Sequence, residues 1–134
     1  MICQNGADYP PPALRVSPQL PRLQRGTDLA FHQHNYTAAV QAYTNAIVLN
    51  PLYVSAYFNR GTTYSLLNQY DKATADFDNA ITLDPQFKQA YFNRGNMYAA
   101  LEQYDKAIAD YTQAISLDSQ FQDAYFNRGD IYLT

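Results

Sequence analysis

The sequence predicts an all-α superhelix of three helix–turn–helix repeats followed by a seventh, C-terminal helix. The pentad Tyr-Phe-Asn-Arg-Gly occurs three times, beginning at Tyr57, Tyr91 and Tyr125, with a period of 34 residues. Residues 54–87 and 88–121 align without gaps and are identical at 21 of 34 positions. A period of this length is typical of stacked repeats, because one such unit is too small to bury its apolar face alone.

The first 21 residues form a proline-rich arm. They hold five of the seven prolines of the chain. Proline lacks the backbone donor that helices and central strands need, so residues 1–21 are expected to be extended or disordered. We interpret this arm as a plain terminal extension, and a proline-rich ligand for a partner protein is the alternative.

The helical pattern begins at about residue 22, and the first repeat is expected to cover residues 22–52. Its two helices are predicted at residues 22–33 and 36–49, with a turn at residues 32–35. The second of them places large and small apolar residues on one face, from Tyr36 to Ile47. Asn50-Pro51 is expected to end it, because proline restricts the residue before it.

The next units repeat this plan more regularly, at residues 53–86 and 87–120. Turn residues and the helical spacing of apolar residues predict helices at about residues 53–67, 71–83, 87–101, 104–117 and 121–133. Asp84-Pro85 ends the second unit and Asp118-Ser119 the third. Short turns make neighbouring helices antiparallel.

Composition excludes several classes of function. The net charge is −3 and the nine Lys and Arg residues are scattered, so no nucleic-acid partner is expected. No apolar run approaches the roughly 18 residues of a membrane span, and the start lacks a secretory pattern. The single cysteine, Cys3, cannot form an internal disulfide, which favours a reducing, cytoplasmic compartment. No nucleophile–base set or phosphate loop occurs, and His32 and His34 are too few for a metal site, so we expect no enzyme, metal or cofactor.

The repeating units of this sequence resemble the tetratricopeptide repeat (TPR) family. In that family a large residue, a glycine and an aromatic residue recur on the first helix of each unit, helix A. Small and aromatic residues follow on the second helix, helix B, and a proline closes the unit. The second unit supplies Tyr57, Gly61, Tyr64, Tyr70, Ala73, Phe77, Ala80 and Pro85. The third supplies Tyr91, Gly95, Tyr98, Tyr104, Ala107, Tyr111 and Ala114, with Ser119 where proline is usual. The first unit departs from the pattern, because one residue is inserted between Gly26 and Tyr36. Gly61 and Gly95 lie mid-helix, where glycine costs about 1 kcal/mol relative to alanine, so a close helix crossing is expected at both.

The resemblance implies a right-handed solenoid that acts as a non-enzymatic scaffold or adaptor and binds an extended segment of another protein in a concave groove lined by the A helices. The candidate peptide-binding residues are Phe58, Asn59, Thr62, Phe92, Asn93, Asn96, Phe126 and Asn127, and Asp123 and Asp130 lie on the same face. An Asn amide both donates and accepts, so Asn59, Asn93 and Asn127 could bind a peptide backbone; the alternative is that they bond within the stack. Phe58 and Phe92 stand where relatives that bind chaperone tails carry a clamp lysine, which favours a mixed apolar and polar peptide.

A periodic pair of opposite charges accompanies this face. Arg60, Arg94 and Arg128 recur on the A helices, and Asp76 and Asp110 recur on the B helices with the same period. We expect structural Arg–Asp pairs, within a repeat or between neighbouring repeats, because interior arginines usually bind carboxylates; an anion-binding stripe is the alternative.

The last helix carries apolar residues without a following B helix. We expect Ile131 and Tyr132 to be partly uncovered, either because the chain comes from a longer array or because this end binds another copy. Self-assembly through the C-terminal helix is therefore the second functional hypothesis, beside peptide binding.

Overall fold

Six α-helices and no strand make up residues 25–134, the part of the chain whose backbone the computed structural model describes; side chains are described for residues 35–134. The helices are α1 (Arg25–Leu49), α2 (Val54–Leu66), α3 (Tyr70–Leu83), α4 (Lys88–Ala100), α5 (Tyr104–Leu117) and α6 (Gln122–Tyr132). Each packs against the next, and α2 also contacts α4. The predicted all-α solenoid class is confirmed. The proline-rich arm lies outside the described residues, and within them no helix is long and apolar enough to cross a membrane.

The first unit differs from its prediction. The turn expected at residues 32–35 does not form, since α1 continues as one helix of 25 residues. The described part of the chain therefore contains six helices where the sequence predicts seven. No Gly or Pro occurs between residues 27 and 50. A left-handed turn residue other than glycine costs about 1–2 kcal/mol, so the unbroken helix is locally cheaper once the inserted residue displaces the register of the turn.

The turns inside the second and third units do require such a left-handed residue. Asn68 and Glu102 both have φ of 60°. The N–H of Gln69 donates to the carbonyl of Tyr64 at 2.9 Å, and the N–H of Gln103 donates to that of Tyr98 at 2.8 Å. This bond closes a Schellman motif, in which the last carbonyls of a helix are satisfied as the chain reverses.

The turns between units are built from an Asn or Asp side chain. Asn50, Asp84 and Asp118 each accept a hydrogen bond from the backbone N–H two residues later, at 3.2, 3.1 and 3.0 Å. Because the carboxylate of Asp118 supplies this bond, the turn forms with Ser119 as it does with Pro85 in the preceding unit.

Small residues set the distance between the helices of each pair. The side chains of Ala73, Ala80, Ala107 and Ala114 are fully buried around Phe77 and Tyr111, the largest fully buried side chains of residues 35–134. A Cβ placed on Gly61 would lie 2.9 Å from Cε1 of Phe77, and one on Gly95 would lie 2.8 Å from Cε1 of Tyr111. The expected close approach therefore occurs, and an aromatic ring makes it rather than a second backbone.

Candidate peptide-binding surface

Helices α2, α4 and α6 carry the three pentads, and we call them the A helices; α3 and α5 are the B helices. The eight predicted peptide-binding residues all lie on the A helices, and we refer to them together as the A-helix surface. Consecutive A helices are related by the repeat, so equivalent side chains recur along this surface. The contacts of each side chain decide which of them are available to a partner.

Phe58 and Phe92 are engaged in packing between repeats. The ring centroid of Phe58 lies 5.8 Å from that of Phe77 and 4.7 Å from that of Phe87. Phe92 lies 5.8 Å from Tyr111 and 4.9 Å from Phe121. Both rings are half-buried. They therefore form an apolar floor, whereas Phe126, one period later, is 68% exposed.

The asparagine ladder bonds largely within the stack. Asn93 Nδ2 donates to Thr62 Oγ1 at 3.4 Å, and Asn93 Oδ1 accepts from Gln89 Nε2 at 3.2 Å. Asn127 Nδ2 donates to Asn96 Oδ1 at 3.0 Å. The bonds from Asn93 to Thr62 and from Asn127 to Asn96 each join one A helix to the next, whereas the bond from Gln89 to Asn93 lies within α4. They correspond to the alternative interpretation of the ladder, in which asparagines orient neighbouring repeats, while Asn59 is exposed.

A buried tyrosine fixes the position of one of these amides. The hydroxyl of Tyr111, on α5, donates to Asn96 Oδ1 at 2.5 Å, so this oxygen accepts two hydrogen bonds. Burial raises the pKa of Tyr111 from 10.0 to about 12, so the hydroxyl keeps its proton, and remains a donor, above pH 10. Asn96 Nδ2 donates to no acceptor among residues 35–134 and remains available. In the sequence, Tyr111 stands out only as an aromatic position of the repeat pattern; the signal for its hydrogen-bonding role is the hydroxyl that the equivalent Phe77 lacks.

An open cavity of about 310 Å³ lies where α4, α5 and α6 meet. Two predicted peptide-binding residues, Asn96 and Asn127, line it together with Asp130, which lies on the same face of the A helices. The remaining lining residues are Ala99 on α4, Tyr104 and Tyr111 on α5, Ile131 on α6, and Thr134 just after α6. The cavity thus combines amide, hydroxyl and carboxylate groups with an aromatic and aliphatic wall, a mixture suited to binding a polypeptide.

The predicted Arg–Asp pairs are present and lie away from this cavity. Arg60 donates from Nε and a terminal nitrogen to the two oxygens of Asp76, at 2.8 and 2.7 Å. Arg94 binds Asp110 in the same two-pronged geometry and at the same distances. The hydrogen bond to the aspartate raises the pKa of each arginine above its ordinary value. The pairs are structural, as expected.

Each arginine also reaches the preceding unit, through an acceptor that the sequence analysis did not name. In all three arginines the terminal nitrogen Nη1 is the donor. Arg60 donates to Thr44 Oγ1 at 3.0 Å, Arg94 to Asp78 Oδ1 at 2.8 Å, and Arg128 to Thr112 Oγ1 at 3.0 Å. The acceptor always lies 16 residues before the arginine. Its recurrence at residues 44, 78 and 112 is the signal that could have revealed it.

The three lysines of residues 35–134 also have their contacts outside the cavity. Lys88 pairs with Asp118 at 2.6 Å, and this contact lowers the pKa of Asp118. Lys72 lies 5.6 Å from the ring centroid of Tyr64, and Lys106 lies 5.5 Å from that of Tyr98. Among residues 35–134, no Lys or Arg lines the cavity at Asp130.

The two predicted self-association residues differ in exposure. Ile131 is half-buried against the cluster that contains Ala107 and Tyr111. Tyr132 is 68% exposed, and so is Phe126 on the same helix. Only Tyr132 is therefore largely uncovered.

Comparison with known proteins shows that the chain belongs to the tetratricopeptide repeat family. A family model described as TPR repeat matches residues 28–67 and 95–134, and two described as tetratricopeptide repeat match residues 54–87 and 77–109. These matches confirm the resemblance found in the sequence. A comparison with curated proteins found no relative.

Solved TPR structures share the fold. The first TPR of Spaghetti (RPAP3), bound to the HSP90 peptide SRMEEVD, is 25% identical with a TM-score of 0.73, covering 83% of this chain and 88% of that one. The Arabidopsis OM64 TPR domain is 27% identical with a TM-score of 0.72, covering 82% and 91%. A MamA structure is 27% identical with a TM-score of 0.70; the match covers 72% of this chain and 53% of MamA. TPR domains are in general interaction modules without enzymatic activity, and this chain is a TPR protein-interaction scaffold.

Proposed function

We propose that the A-helix surface binds an extended segment of another protein, and that the chain is not an enzyme. The observation that carries this proposal is the cavity between α4 and α6, with its fixed amides and hydroxyl. A similar TPR domain, the first of Spaghetti (RPAP3), holds a peptide. The asparagines bonded within the stack are pre-positioned, which lowers the cost of ordering them when a partner binds.

The contacts of each site residue indicate its role in binding the segment. Phe58 and Phe92 supply the apolar floor, and Asn59 is free to reach a peptide backbone. Asn96 offers its unused Nδ2 donors, because only its Oδ1 is engaged by Tyr111 and Asn127. Thr62 and Asn93 act as one bonded unit, so losing either side chain also loosens the contact between repeats.

The test is to find a ligand and locate it on the protein. Short random peptides displayed on phage are selected on the immobilised chain, and the selected peptides are titrated into ¹⁵N-labelled protein. We expect shifts in the side-chain amide signals of Asn59, Asn96 and Asn127, and weaker binding by an Asn59→Ala/Asn96→Ala variant. Gln113→Ala, an exposed change on α5, is the matched control. Shifts confined to the outer faces of the B helices would overturn the proposal.

The second candidate is association of copies through α6, which we propose because Phe126 and Tyr132 are both 68% exposed on this one helix. Burying such side chains between two copies would favour a dimer. Sedimentation of the native chain over a range of concentrations is compared with that of Tyr132→Glu. We expect concentration-dependent association in the native chain and its loss in the variant; a monomer at every concentration contradicts this function.

A further inference from the structure

We infer that the segment bound on the A-helix surface carries a basic residue, Lys or Arg, that is recognised by Asp130. The inference rests on the proposed function and adds the charge of the partner to it.

Asp130 occupies a position at which each repeat carries a different polar side chain. The equivalent residues one and two periods earlier are Asn96 and Thr62, so a hydroxyl and an amide precede the carboxylate. Asp130 is exposed and lines the cavity, and it forms no ion pair with any cation among residues 35–134. A charge therefore stands at a place where the earlier units are neutral.

The acceptors around Asp130 match a basic side chain. Asn96 Oδ1 is occupied by two hydrogen bonds, from the hydroxyl of Tyr111 and from Asn127 Nδ2. Asn127 Oδ1 accepts from no donor within the described part of the chain, and the two oxygens of Asp130 are equally open to a ligand. A guanidinium has five N–H donors and an ammonium has three, so either could bind the carboxylate and the amide oxygen together.

The six Lys and Arg of residues 35–134 do not balance an acidic partner at this place. Residues 35–134 contain six Lys and Arg. Three arginines bind side chains of the B helices, and the three lysines contact a carboxylate or an aromatic ring outside the cavity. An acidic segment in the cavity would place a carboxylate beside Asp130, where no Lys or Arg of residues 35–134 lines the cavity, and this repulsion selects against it.

The experiment compares peptides selected from the same random phage library on the native chain and on Asp130→Asn. We expect Lys and Arg to be enriched among peptides that bind the native chain, and this enrichment to disappear with the variant. The affinity of a selected basic peptide should fall about five-fold in Asp130→Asn, and the difference should shrink as salt is raised. Asp71→Asn makes the same charge change on α3, away from the cavity, and should leave the affinity unchanged. Asp130→Lys should select acidic peptides instead.

The outcomes separate this inference from the proposed function. If selected peptides shift the amide signals of the A-helix surface but show no excess of basic residues, peptide binding stands and the role of Asp130 is wrong. Equal losses in Asp130→Asn and Asp71→Asn lead to the same conclusion. If no selected peptide shifts those signals, the proposed function and this inference both fail.

Discussion

Replacing Asp110 by alanine removes the carboxylate that holds Arg94 between three helices. Arg94 lies on α4, binds Asp110 on α5 through two hydrogen bonds, and binds Asp78 on α3 through a third. The side chain of Asp110 is 7% exposed and that of Arg94 is 19% exposed, whereas Asp78 is 52% exposed. The variant therefore leaves a largely buried guanidinium with only its exposed partner.

The expected loss of stability follows from this burial. Removing one partner of a buried ion pair costs about 3–5 kcal/mol, because the other charge stays buried without compensation. Arg94 keeps Asp78 and some contact with water, which reduces the loss to about 2–3 kcal/mol. For a chain of this size the melting temperature should fall by roughly 6–15 °C.

Urea and thermal unfolding followed by circular dichroism measure this loss. Asp78→Ala is the matched control, since it removes the exposed partner of the same arginine and should cost at most about 1 kcal/mol. The pair Arg94→Met and Asp110→Leu removes both charges, and it should be more stable than Asp110→Ala, because no charge is then stranded. If Asp110→Ala costs no more than Asp78→Ala, the buried pair does not stabilise the repeat in the way its geometry implies.

Two further predictions concern the contact between α4 and α5. Gly95→Ala should lower the free energy of unfolding, measured in urea, by about 1–2 kcal/mol. Its Cβ would meet the Tyr111 ring, and this overpacking costs more than the helix preference of alanine gains. A Cβ on Gly129 meets nothing within 4 Å, so Gly129→Ala should raise the free energy of unfolding by up to about 1 kcal/mol. Equal effects of the two substitutions would show that the crossing is not tight. The second prediction is alkaline destabilisation: burial raises the pKa of Tyr111 to about 12, whereas the unfolded chain releases this proton near 10. The free energy of unfolding is therefore insensitive to this group below pH 10 and falls as the pH rises to about 12, by up to about 1.4 kcal/mol per pH unit. In Tyr111→Phe this part of the fall, measured by urea titrations at successive pH values, should be absent, and an unchanged slope would contradict the assignment.

The period of the repeat and most of the helices could be predicted from the order of the residues alone. Helices predicted at residues 71–83 and 104–117 are found at Tyr70–Leu83 and Tyr104–Leu117. Such bounds are predictable because the signals that end these helices are local: Asp84 and Asp118 each bind the backbone N–H two residues later, and proline follows Asp84. The Arg–Asp pairs were predictable too, since an interior arginine needs a carboxylate and the two residue types recur with the same period.

The packing of the helices against one another sets which polar and aromatic side chains remain available on the A-helix surface. Asn127 bonds to Asn96, 31 residues earlier, and Arg94 to Asp78, 16 residues earlier. Contacts across such separations depend on the distance and angle between helices, which the packing of alanine, glycine and the buried rings sets, and no pattern within one helix reports them. The same holds for the half-buried Phe58 and Phe92 and for the cavity that brings Asp130 to Tyr111. The turn predicted at residues 32–35 is absent for the opposite reason. The pattern of the other units predicts this turn, but the local preference for an unbroken helix prevails in α1.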